Sequence, residues 1–111
     1  MPWSPADDIV VLLCTAPDSH AAAAIAHKLV DSRCAACVNI VPGLRSIYRW
    51  EDKVCDEPEV LMLIKVRRDQ AAQVAETIRA EHPYDNPEVI ALPLAGGLDA
   101  YVGWVREMTA R

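Results

Sequence analysis

A chain of 111 residues is long enough for one domain around one core. With 11 basic and 16 acidic residues it carries a net charge of -5 and has no basic run, which is poor electrostatics for binding nucleic acid. Apolar residues make up 52% of it, yet no apolar stretch approaches the roughly 18 residues that a membrane span needs.

The opening Met1-Pro2-Trp3-Ser4-Pro5-Ala6-Asp7-Asp8 lacks the positive region of a signal peptide and reads as a flexible lead over residues 1–8, ahead of a single domain over 9–111. Such a start, with Cys14, Cys34, Cys37 and Cys55 expected to be reduced, points to the cytoplasm. Ile9 to Cys14 is a continuous apolar run rich in valine and leucine, the pattern of a buried strand. Thr15-Ala16-Pro17-Asp18 breaks it, and Asp18 or Ser19 is placed to cap a helix from His20 to Asp31. Ala22, Ile25, Ala26, Leu29 and Val30 fall at helical spacing and mark its inner side. Ala35 to Val41 is a second strand, interrupted by Pro42-Gly43 as a bend or bulge and carried on by Leu44 to Trp50. Glu51-Asp52-Lys53 is the turn of a long hairpin, and Val60 to Val66 is a third strand. Asp69 is read as the cap of a second helix facing inward through Ala71, Val74, Ala75 and Ile78. Val89 to Leu94 is a fourth strand, ended by Gly96-Gly97. Asp99 to Met108 is a last helix with Tyr101, Val105 and Met108 in line.

The order is βαββαβ with an extra C-terminal helix, an α+β arrangement of the ferredoxin-like, split-βαβ kind with an antiparallel sheet. Two helices cover one sheet face, so a monomer would keep the other face polar. Ile9-Val10-Val11-Leu12-Leu13, Val60-Leu61-Met62-Leu63-Ile64 and Val89-Ile90-Ala91-Leu92 are instead apolar on both faces. The second face therefore calls for burial against another subunit.

In this topology the end of strand one lies beside the start of strand four. Cys14 sits at the first point and the Glu81-His82 step leads into the second, so one site is within reach of all three. A thiolate with an imidazole suits copper or zinc better than magnesium or calcium. The plainer reading of Cys14 is a small buried hydrophobe, and that of His82 a residue at a helix C-terminus.

The run His82-Pro83-Tyr84-Asp85-Asn86-Pro87-Glu88-Val89-Ile90-Ala91-Leu92-Pro93-Leu94 packs three prolines and an Asp-Asn pair around a strand, and so specifies one loop shape. Taken with Cys14-Thr15-Ala16-Pro17-Asp18, with Ala35-Ala36-Cys37-Val38-Asn39-Ile40-Val41-Pro42-Gly43 and with Ser46-Ile47-Tyr48-Arg49-Trp50, it resembles the CutA family of divalent-cation tolerance proteins over residues 9 to about 108. The resemblance implies a homotrimer with its sheets packed at the centre, and an association with copper and other divalent metals. It also implies Cys14 and His82 as metal ligands, with Glu81 standing where some members have a second histidine. It further implies a cleft between subunits, lined partly from the hairpin arm and the His-Pro-Tyr loop, with Tyr48, Trp50, Lys65 and Tyr84 as lining residues.

Other features carry less. Cys34 and Cys37 have CxxC spacing but follow a helix and enter a strand, unlike a redox pair at a helix start. Cys55 is expected as an exposed thiol near the hairpin tip. His20 and His27 lie about 10 Å apart along one helix, too far for one ion. No phosphate-binding glycine loop or Ser-His-Asp set appears, so an enzyme is not expected. The leading expectation is a cytoplasmic, trimeric divalent-cation tolerance protein that binds copper or a similar ion directly. The alternative is a trimeric small-molecule sensor or scaffold with a ligand cleft between subunits.

Overall fold

Alternation along one central strand organises the molecule. The computed structural model describes residues 2–110. Its elements are β1 (Trp3–Pro5), β2 (Ile9–Ala16), α1 (Ser19–Asp31), β3 (Cys37–Trp50), β4 (Lys53–Arg67), α2 (Ala71–Glu81), β5 (Ile90–Pro93), β6 (Gly96–Leu98) and α3 (Asp99–Met108). Four strands form an antiparallel sheet in the order β3-β4-β2-β5. On β2, Val10, Leu12, Cys14 and Ala16 are buried, opposite Val66, Ile64, Met62 and Val60 of β4. They pack on Ala22, Ile25 and Leu29 of α1 and on Val74 and Ile78 of α2. A two-residue strand period sends the alternate residues Val11, Leu13 and Thr15 to the opposite, outer face. Each large apolar side chain buried in the inner core is worth about 1.5–3 kcal/mol.

The outer face is covered at one end only. α3 lays Val102 and Val105 there with Ala6, Ile9 and Ala36 to make a small second core. Arg67 ties this end together, donating to the Thr109 hydroxyl at 3.0 Å and to the Arg106 carbonyl at 2.5 Å. Of the expected inner line on α3, Val105 is buried and Met108 packs beside it, but Val102 takes the place of Tyr101, which lies outside against Trp104, ring centroids 5.6 Å apart. Beyond α3 the outer face is open: Ile90 and Leu92 are 52% and 48% exposed beside half-buried Leu13, Leu61 and Leu63.

The segment expected as a loose lead carries structure of its own. Trp3–Pro5 pairs with Gly96–Leu98, so the two glycines expected to end a strand instead form one. A Cβ on Gly96 would meet the Ser4 carbonyl at 2.6 Å, which is why this close approach takes glycine. Asp8 receives two bonds from Arg106, at 2.7 and 2.9 Å, and that guanidinium lowers the Asp8 carboxyl below its ordinary range.

Asp18 caps α1, its carboxylate accepting from the Ala21 backbone N–H at 2.8 Å. On α1, Val30 is 42% exposed and lies outside the buried stripe of Ala22, Ile25 and Leu29. Asp69 does not cap α2. It lies inside a 3-10 turn, Arg68–Gln70, and the helix starts beyond Gln70 without a side-chain cap.

The hairpin β3–β4 is long, and two local features shape it. Val41 pairs with Leu61 but Leu44 with Glu59, so Pro42-Gly43 inserts one extra residue as a bulge, with Gly43 at φ +84°. The two-residue tip, Glu51 and Asp52, has φ of 49° and 63°, the signature of a type I′ turn, made here without glycine. The double substitution Glu51→Asn with Asp52→Gly relieves the left-handed strain and is expected to raise stability by about 0.5–1 kcal/mol, read as a higher urea midpoint at unchanged slope. Leu12→Ala in the fully buried layer is expected to cost about 2–5 kcal/mol in the same assay.

Candidate functional site

α2 stops at Glu81, and His82 turns extended, with φ -79° and ψ 141°. That turn carries the imidazole back against the end of β2. The Tyr84 backbone N–H donates to His82 Nδ1 at 3.1 Å, which leaves the ring proton on Nε2. Nε2 donates it to the Thr15 carbonyl at 2.8 Å. Both ring nitrogens of this buried histidine are therefore engaged by backbone, and the ring fastens the loop to the sheet.

Cys14 meets His82 at the same carbonyl, its thiol lying 3.5 Å from Thr15 O. The structure thus brings together the two residues that topology and resemblance paired. The thiol is fully buried, and burial, with the Glu88 and Glu59 charges adding to it, pushes its pKa up to about 12. Glu81, the third expected ligand, is engaged in an ion pair with Lys28 of α1. Among the described residues no three His, Cys, Asp or Glu side chains converge as a metal site. Of the expected ligands, Cys14 and His82 thus meet at one carbonyl, while Glu81 is held apart in its pair with Lys28.

Beside this junction lies a cleft of about 690 Å³, between the β3 arm and the loop after α2. Thr15 and Glu59 form its floor, Tyr48 and Trp50 line one wall, and Tyr84, Asp85 and Glu88 the other. The bulge sets this arrangement. Before it, odd-numbered β3 residues such as Asn39 and Val41 face outward; after it, Leu44 pairs with outward Glu59, and Ser46, Tyr48 and Trp50 follow on that face. Tyr84 donates its hydroxyl to Glu59 Oε2 at 2.8 Å and tilts against the His82 ring at 4.8 Å. Burial, then the bond to Glu59 and its charge, holds the Tyr84 hydroxyl well above the ordinary tyrosine range.

Three of the four expected cleft residues, Tyr48, Trp50 and Tyr84, line this space. Lys65 does not. It stands six positions along β4 from Glu59, about 20 Å away at the usual strand rise, and contacts Asn39 and the Cys37 thiol. The sequence reading missed Glu59. Its signal was a lone carboxylate between Pro58 and the apolar run of Val60 to Val66, at outward parity. Cys55, expected to be exposed, is half-buried opposite Tyr48. Cys34 and Cys37 are not disulfide-bonded, and His20 and His27 are exposed on α1.

The fold and cleft define a small α+β protein with an antiparallel sheet, two helices on one face and a third over one end of the other, and a hollow at the open sheet end. Residues 10–108 match the CutA1 divalent ion tolerance protein family, and the chain belongs to it. It is 48% identical over 99 residues to the divalent-cation tolerance protein CutA of Thermus thermophilus, covering 89% of this chain and 96% of that one. The chloroplastic CutA of Arabidopsis thaliana is 44% identical over 90% of this chain, which spans only 55% of that longer relative. Among solved structures, CutA from Synechococcus elongatus superposes with a TM-score of 0.92 at 30% identity, over 97% of this chain and 96% of that one. No helix among the described residues is long and apolar enough to cross a membrane.

With its pKa pushed up to about 12 by burial, the Cys14 thiol stays protonated at pH 8 far more completely than a free cysteine. Labelling with a disulfide reagent is expected to spare Cys14 in the native protein and reach it only on unfolding. As pH rises past the free-thiol value of 9.0 the unfolded chain loses this proton while the folded one keeps it. Stability therefore falls between pH 9 and 12, and Cys14→Ala is expected to flatten that fall in a pH series of urea melts.

Proposed function

We propose that this chain acts in divalent-cation tolerance as a cytoplasmic homotrimer of single-domain, ferredoxin-like subunits, and that it works by binding a small ligand rather than by catalysis. The strand order β3-β4-β2-β5 with two helices on one face supports the ferredoxin-like reading. The observation that carries the proposal is the cleft built on an uncovered apolar face. Its floor residues, Thr15 and Glu59, continue the outward row of Leu13, Leu61 and Leu63, so an assembly that buries the row also borders the cleft. Exposed Ile90, Leu92 and Val41 extend that row into a surface of the kind that marks an interface. The number three comes from the family resemblance.

A second reading, direct binding of copper or a similar ion such as zinc, is favoured by the meeting of Cys14 and His82 at the Thr15 carbonyl. It requires the imidazole to give up a backbone bond, the thiol to lose a proton held up to about pH 12, and Glu81 to leave Lys28. The small-ligand reading requires none of these.

Native mass spectrometry of the reduced protein, with and without copper, separates the two. The proposal expects three chains and no copper uptake beyond that of Cys14→Ser. One ion per chain, lost in both Cys14→Ser and His82→Ala, would replace it with the direct-binding reading. A single-chain species would overturn the assembly.

A further inference from the structure

Where α3 meets the outer face of the sheet, a thiol and an amine stand side by side. Cys37 and Lys65 are register partners across β3 and β4, and both are half-buried. Both have outward parity on their strands, so the two side chains form a cross-strand pair on one face. Lys65 Nζ donates to the Cys37 sulfur at 3.5 Å and also bonds the Asn39 side chain. Asn39 Oδ1 accepts from the thiol at 3.8 Å. Tyr101 of α3 closes on the pair: burial first, and then Cys37, raises its hydroxyl above the ordinary tyrosine range.

Neither member of the pair has the partner its chemistry usually takes. The ion pairs among the described residues join Lys28, Arg45, Arg79 and Arg106 to acids, and Lys65 is in none of them. Its nitrogen is held by an amide oxygen and a sulfur instead. Cys37 is not disulfide-bonded. Cys34, the other member of the CxxC spacing, packs toward the inner core while Cys37 faces outward. The nucleophile placed on the Cys37 sulfur is therefore an amine and not a second thiol. A cation so near steadies the negative charge that develops as the sulfur reacts, and the same nitrogen is within reach of the sulfur once it is oxidised.

We propose that Cys37 and Lys65 form a redox-sensitive crosslinking site, closed by hydrogen peroxide as a sulfenamide and reopened by thiols. The Cys37 sulfur attacks one peroxide oxygen, the O–O bond breaks, and water leaves with Cys37 now a sulfenic acid. Lys65, as the free amine, attacks that sulfur. The S–O bond breaks, and hydroxide departs with an amine proton as a second water. Sulfur gives up two electrons, peroxide is reduced to two waters, and the chain ends lighter by two hydrogens. Two equivalents of a small thiol reverse the step, restoring thiol and amine and leaving a small-molecule disulfide. The bond staples β3 to β4 and removes the charge of Lys65 from the outer face. It does not depend on what the cleft binds.

Peptide mapping tests it. The reduced, folded protein is treated with hydrogen peroxide, alkylated, digested with trypsin without reductant and read by mass spectrometry. The bridge joins residues 34–45 to residues 54–67, with Lys65 uncleaved because its amine is taken. A disulfide from Cys37 to Cys55 joins the same region but leaves Lys65 open to trypsin, and one from Cys37 to Cys34 stays within residues 34–45. The joined peptide with uncleaved Lys65 is expected in the native protein, and dithiothreitol should abolish it. Lys65→Arg keeps the charge but should lose the bridge, leaving Cys37 as a sulfenic acid that dimedone captures. Oxidation of Cys37 with Lys65 cut as usual overturns the proposal, as does a Cys37 that peroxide leaves untouched in the folded chain. A joined peptide that survives in Lys65→Arg is a disulfide and overturns it as well.

Discussion

Everything in this fold depends on β2 being apolar on both of its faces. A strand held between two antiparallel neighbours has its backbone bonds satisfied on both edges, and its side chains alternate between two environments. The inner row, Val10, Leu12, Cys14 and Ala16, is sealed by two helices. The outer row is buried at Ile9, beneath α3, and only half-buried from Val11 through Leu13 to Thr15. That difference divides the molecule into a closed end, which supplies stability, and an open end, where assembly and binding are proposed.

At the open end three local devices act together. The extra residue at Pro42-Gly43 changes the parity of β3, so the aromatic residues of the arm share a face with Glu59. The tight turn at Glu51 and Asp52 lets both strands run far beyond the core, and the molecule extends to 49 Å along its longest axis. His82, bonded at both nitrogens, fixes the opposite wall. One residue thereby serves as a clamp where topology and the family resemblance suggested a ligand. The lesson is physical: an imidazole at a helix end has two bonds to make, and backbone groups reached it first.

Much of this was legible in the chain. Continuous apolar runs at Ile9 to Cys14 and Val60 to Val66 gave the central strands, and helical spacing gave the inner faces of α1 and α2. Pro42-Gly43 reads as a bulge because proline removes a ladder donor and glycine accepts positive φ. What escaped the sequence depended on tertiary contacts. The pairing of Trp3–Pro5 with Gly96–Leu98 joins segments far apart in the chain, and nothing local signals it. Asp69 has the chemistry of a cap, but the chain makes a 3-10 turn first. Lys65 looked like a partner for the arm because it shares the hairpin strand, although strand rise carries it far from the cleft. Glu59 was overlooked because burial of a single carboxylate becomes visible only once Tyr84 is seen to reach it.

The central claim is that the open outer face is an interface. Small-angle scattering of the reduced protein over a dilution series tests it directly. The account predicts a forward scattering of three chains and a radius of gyration well above the 14.7 Å of one chain, both unchanged on dilution. A single-chain mass with a radius near 14.7 Å would mean that the row from Leu13 to Leu92 faces water, and the account would be wrong.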